Sequence, residues 1–180
     1  MRNIKVIFSE ADKELAEKLC RRHEKLADRY LALVNFVFTI IAGMILIASI
    51  ALGVILHFTT CATIKNSLYY IAVAALISLV SVIVLSLISV VFQAIYDDHS
   101  ANALHYQFIA EHMQEISKYE NSLTFSKTCS DTVIYNLPDG RCRHIKTVND
   151  IPADGDVIIT IKEDADAKGQ ISLDWYAKTI

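Results

Sequence analysis

The run Arg141-Cys142-Arg143-His144-Ile145-Lys146 is the one dense basic cluster in the second half of this sequence. On a strand, Arg141 and Arg143 project to one face while His144 and Lys146 project to the other. Two planar guanidinium forks one strand repeat apart suit phosphate oxygens. Trp175 and Tyr176, near the end of the chain, are the right residue types to stack on a base. The competing reading is a hairpin whose charges pair with neighbouring Asp and Glu. His105 and His112 are separated by two helical turns on one face, whereas metal-binding pairs on a helix normally stand three or four apart. They read as interface histidines, with ligand contact or proton sensing as the functional alternative.

Enzymatic chemistry finds little else to use. The sequence has no P-loop, no G-x-G-x-x-G, no H-E-x-x-H and no G-x-S-x-G. Its 4 cysteines (Cys20, Cys61, Cys129, Cys142) show no metal-ligand spacing. Neither catalysis, a cofactor nor a metal is expected. A second pattern is structural. Ser78, Ser81, Ser89 and Gln93, with Ala74, share one arc of a helix, and Ser86 sits just beyond it. Asn35, Gly43, Ser49 and Gly53 occupy the preceding apolar stretch. Small and hydroxyl residues on one face permit close helix packing, or line a narrow pore in an oligomer.

These side chains need elements to hold them, and the elements begin with hydropathy. Residues 31–58 and 68–96 contain no Asp, Glu, Lys or Arg, in a chain of 180 residues that is 53% hydrophobic. A span needs about 20 apolar residues, so each stretch predicts a transmembrane helix joined to the other by an outer loop at 59–67. The first follows a highly charged segment and is too long for a signal-peptide core. Lys13, Lys18, Arg21, Arg22, Lys25 and Arg29 precede it, against the single Lys65 in the loop. That asymmetry keeps both termini in the cytoplasm, with Cys61 and the outer end of the first span near His57 facing outward.

Ser9 followed by Asp12 predicts a helix start. Ala16, Leu19, His23, Leu26 and Tyr30 then recur at helical spacing, giving a juxtamembrane helix at residues 1–30 that packs on a neighbour or lies on anionic headgroups. Ile4, Val6 and Phe8 alternate as an edge strand or a tail. No Gly or Pro interrupts residues 67–137, so the second helix is expected to run on to about Tyr119. There His105, Ile109, His112, Ile116 and Tyr119 make a heptad-like seam suited to packing around a symmetry axis. Beyond it, 132–137 and 141–148 flank Pro138-Asp139-Gly140 as a hairpin, and alternating residues at 157–161 and 171–177 complete a meander of about four strands. The fold expected is a membrane α-helical hairpin plus a small cytosolic α+β domain at 97–180. That domain is acidic within a chain of net charge −3, which disfavours DNA.

The charged helix at 9–30, the two spans and the compact tail after Tyr96 resemble the SLATT group of prokaryotic two-span membrane effectors. More narrowly, they are similar to CRISPR-associated (type III) membrane effectors whose C-terminal domain binds cyclic tetra-adenylate. The resemblance covers the whole chain in layout and rests on no short motif. It implies a homotetramer in the bacterial inner membrane, with the cyclic oligonucleotide and the lipid bilayer as partners. In such a scheme ligand binding leads the spans to disturb the membrane during antiphage defence. A membrane-anchored adaptor that binds another protein is the alternative.

Overall fold

The structure, a computed structural model, describes residues 3–58, 64–127, 129–165 and 171–180. Its elements run β1 (Ile4–Ile7), α1 (Glu10–Phe58), α2 (Ile64–Tyr119), β2 (Thr124–Lys127), β3 (Thr132–Asn136), β4 (Cys142–Lys146), β5 (Val157–Ala165) and β6 (Ile171–Thr179). They divide into two compact units, His23–Ala101 and the combination of Met1–Arg22 with Asn102–Ile180. Helices α1 and α2 each contribute to both. Residues 59–63 of the expected outer loop, Cys61 among them, and 166–170 of the last expected turn lie outside the described residues, as do the surroundings of Gly53 and the side chains of His57, Lys65 and Ala74.

In the unit His23–Ala101, two helices long and apolar enough to cross a membrane pack on one another. Ala27, Val34, Val37 and Ile41 of α1 and Ser89 of α2 are buried. Tyr30 sits 6.2 Å from Phe92 and stacks 5.7 Å from His99, ring centre to ring centre. The spacing of the buried α1 positions follows the 3–4 alternation of a left-handed helix pair. The remaining apolar side chains, including Phe36, Leu46, Ile47, Leu76, Leu87 and Val90, stand largely exposed. Water would penalise that much apolar surface; hydrocarbon would solvate it. Thr39 and Ser49 satisfy their hydroxyls on the carbonyls of Asn35 and Ile45, 2.9 and 2.8 Å away, so neither exposes an unpaired donor.

The other unit starts from a reciprocal cap. The Ser9 hydroxyl accepts from the Asp12 amide at 3.1 Å, and the Asp12 carboxylate accepts from the Ser9 amide at 2.6 Å. Ala16 and Leu19 of α1 join Tyr106, Ile109, Met113 and Ile116 of α2 in one core with Val133, Tyr135, Ile145, Val157, Ile159, Leu173, Trp175 and Ala177 of the strands. Two three-stranded sheets supply those strands, in the orders β1-β5-β6 and β2-β3-β4.

The four expected strands are present as β3 to β6, but a single meander is not. Thr147 turns the chain out of the β2-β3-β4 sheet: its amide and hydroxyl both donate to the Asp131 carbonyl, at 2.8 and 2.9 Å. The next residues close the free edge of β6 in the other sheet. The Val148 amide donates to the Trp175 carbonyl at 2.9 Å, and the Asn149 side chain brackets Ala177 at 2.7 and 2.9 Å. Strand β1 pairs in parallel with β5, Ile4 opposite Val157 through Ile7 opposite Thr160, which settles the opening alternation as an edge strand. The heptad-like seam is also corrected. Ile109 and Ile116 are buried on this chain's own core, so that face is covered without a symmetry mate.

Leu19 is 5% exposed in a core built mostly of strands far from it in sequence. Leu19→Ala should destabilise this unit by about 2–4 kcal/mol. The measurement is denaturant unfolding of the full chain in detergent, followed by the fluorescence of the single Trp. Phe36→Ala, at a position 63% exposed, should shift the same transition by less than about 0.5 kcal/mol. Equal shifts would show that the α1 start does not belong to this core.

Candidate functional site

The β3–β4 hairpin turns on Pro138-Asp139-Gly140. Gly140 adopts φ +85°, the left-handed conformation that closes a three-residue hairpin loop, and its amide donates to the Leu137 carbonyl at 3.0 Å. The register places Tyr135 opposite Arg143 and Val133 opposite Ile145. All four share the inward face, because alternate strand residues point the same way. Cys142, His144 and Lys146 lie exposed on the outward face.

Beneath the hairpin, α2 presents Glu115. One carboxylate oxygen accepts from Arg143 at 3.3 Å and lies 4.0 Å from Arg141; the other accepts from the Tyr135 hydroxyl at 2.9 Å. His112 Nδ1 sits 2.6 Å from that same hydroxyl. The phenol has one proton and gives it to Glu115, so its oxygen accepts from His112 and the neutral ring carries its proton on Nδ1. Burial pushes the Tyr135 hydroxyl well above its usual range, with Glu115 adding to the shift. Asp139 pairs with the Arg141 guanidinium at 2.8 Å. The Arg141 backbone amide and guanidinium hold its carboxyl below the ordinary range. Arg143 Nε is buried with no acceptor among the described residues, an arrangement that typically costs about 1–3 kcal/mol.

The structure thus brings Arg141, Arg143 and His112 together and adds Glu115 and Tyr135, which the sequence reading did not single out. A helical carboxylate opposite two strand arginines depends on register and crossing geometry, neither of which a linear pattern encodes. His144 and Lys146 are outside this group, and Lys146 pairs with Asp131 at 3.6 Å.

Trp175 and Tyr176 lie on β6, and His105 meets that strand from α2. Trp175 is 4% exposed and meets Phe8 edge-on at 6.5 Å. A buried indole offers no face to a base, which removes it from the ligand set. Tyr176, on the opposite face of β6, carries the Lys162 ammonium 5.1 Å from its ring centre. His105 contacts the Leu173 carbonyl and the Asp174 carboxylate, each at 3.1 Å, and so covers more of the β6 edge. Burial, with Asp174 second, raises the Tyr106 hydroxyl beside it.

Of the serine arc, Ser89 is buried, Ser78 and Ser81 are half-buried and Ser86 is exposed. Gln93 donates to Asp97 at 3.0 Å. Ser78 and Ser49 line an apolar cavity of about 680 Å³ with Ala48, Leu52, Ala75 and Val82. Among the described residues no cluster of three or more His, Cys, Asp or Glu is arranged to hold a metal ion.

The Glu115 network sets a pH dependence. Burial lowers the His112 imidazole below its ordinary 6.5. The unfolded chain therefore protonates first, and stability present above 6.5 is lost as pH falls toward the folded-state value. Tyr135 acts at the other end: its raised hydroxyl gives stability that is intact below 10 and declines as pH rises past it. In denaturant titrations across pH, His112→Asn should flatten the acid limb and Tyr135→Phe the alkaline limb. Tyr135→Phe should also cost about 1–3 kcal/mol at neutral pH, by stranding its two partners. An acid limb unchanged in His112→Asn would remove this histidine from the network's titration.

No family model, curated protein or solved structure matches this chain.

Proposed function

We propose that the protein is an oligomeric effector of the bacterial inner membrane, with both termini cytoplasmic, in which α1 and α2 span the bilayer and the strand-bearing unit binds a phosphate-rich second messenger. The observation that carries this reading is the continuity of the helices. Each passes without a break from apolar positions that stand exposed to positions buried in the strand-bearing core. A passive anchor needs only a tether, and an unbroken helix is more than a tether requires. Binding biases the spans only if the ligand distinguishes two arrangements. The site is the Arg141–Arg143 fork; His144 and Lys146 adjoin it in sequence but project from the opposite face of β4, and Tyr176 belongs to the other sheet. The narrower form of the proposal is a homotetrameric antiphage effector of the type III CRISPR kind, its ligand cyclic tetra-adenylate and its output membrane permeabilisation. That form rests on the resemblance in layout.

One observation favours a second reading. Arg141, Arg143 and Lys146 all have acidic partners within the chain, as ordinary hairpin charges do. On that reading the helices anchor a domain that binds another protein.

Dye-loaded vesicles containing the full chain separate the two. Cyclic tetra-adenylate should bind and trigger leakage, and Arg141→Ala with Arg143→Ala should abolish both while leaving insertion intact. Absence of binding and leakage across cyclic di-, tri-, tetra- and hexa-adenylate would reject the effector and leave the adaptor.

A further inference from the structure

We infer that Glu115 is an internal occupant of the arginine site, an autoinhibitory contact that an incoming phosphate must displace; this deepens the proposed ligand site and rests on it. Three observations converge. Glu115 belongs to α2, while the arginines it meets belong to the β3–β4 hairpin and its turn. Its carboxylate is mostly shielded, with a side chain 19% exposed, and it pairs with Arg143 through a single nitrogen at 3.3 Å. Arg143 Nε, the other donor on that edge of the guanidinium, is buried without an acceptor among the described residues. The pair therefore falls short of the two-point geometry that arginine forms with carboxylate or phosphate.

A phosphodiester seated against Nε and Nη2 would satisfy the orphaned donor and take the place that Glu115 fills incompletely. Glu115 would keep the Tyr135 hydroxyl, 2.9 Å from its second oxygen, which offsets part of the cost of parting its carboxylate from the arginines. What changes is the ionic tie between hairpin and α2. The chemistry that fits is a phosphate ester, and a soluble ligand is separated from a lipid headgroup by the lipid arm of the test.

The test measures binding of two probes, inorganic pyrophosphate and cyclic tetra-adenylate, to the full chain in zwitterionic nanodiscs by calorimetry. Glu115→Gln removes the competing charge and keeps an acceptor for Tyr135. It should tighten both probes about tenfold, and adding Arg143→Ala should erase the gain. Glu115→Asp withdraws the carboxylate by one methylene and should tighten binding by a smaller factor; it carries the test if Glu115→Gln fails to fold by Trp fluorescence. Adding phosphatidylserine to the discs should leave affinities unchanged, and competition by it would overturn the soluble source. Wild-type binding that depends on Arg143 yet is unmoved or weakened by both Glu115 variants would overturn the autoinhibitory contact and leave the ligand site standing. No binding by wild type or either variant would overturn both.

Discussion

A helix that is apolar around most of its circumference at one end and amphipathic at the other imposes a constraint on everything attached to it. Its backbone hydrogen bonds are satisfied internally, so it can pass from an apolar to an aqueous medium without exposing unpaired groups. Glycine or proline inside it would create a hinge where motion is lost. From residue 67 to 137 there is neither, and α2 runs unbroken from Ile64 to Tyr119. The strands are arranged to suit. Met113 is 0% exposed, Ile109 2% and Ile116 5%, so the last turns of α2 form the floor on which the β2-β3-β4 sheet is laid.

Placing a carboxylate in that floor follows a different logic from apolar packing. A buried charge is costly unless paired, and Glu115 meets the demand with two arginines and a tyrosine. Replacing a whole buried ion pair with apolar side chains is often neutral or stabilising, although removing one partner alone is costly, so stability alone is a poor account of the network's presence. A network that fixes hairpin register against the helix is one role consistent with the geometry. An exchangeable counter-ion is the other, and the unfilled Nε of Arg143 distinguishes this pair from a fully satisfied structural bridge.

Much of this was legible in the linear sequence where the signal is local. The two apolar helices, the Ser9–Asp12 cap, the Pro138-Asp139-Gly140 hairpin and the continuation of α2 to Tyr119 each follow from residues within a few positions of one another. What was left open or missed shares a cause. The edge strand at Ile4–Ile7 was one of two readings because its partner, β5, lies 153 residues away, Val157 opposite Ile4. The sheet switch at Thr147 depends on a carbonyl from Asp131, and the Trp175 environment includes Phe8. Periodicity reports that a face is covered but not by what. The His105–Tyr119 periodicity therefore fits a seam around a symmetry axis equally well, whereas this chain's own strands cover Ile109 and Ile116.

The same reasoning bears on ligand selectivity under the proposed function. A carboxylate fixed on a helix beside its arginines competes at an effective concentration of about millimolar or above. A singly charged anion at ordinary cellular levels gains too little per contact to prevail against it. A ligand carrying several phosphates, engaged by copies of the site in an oligomer, has to displace the carboxylate in each copy, but after its first contact it meets the remaining arginines at a high effective concentration of its own. An internal counter-ion would thus convert a weak, unselective basic patch into a site that answers only to polyvalent phosphate. The near-neutral pairing of Arg141 and Arg143 with Asp139 and Glu115, taken alone, argues against ligand binding; in this light it becomes the element that would set the threshold.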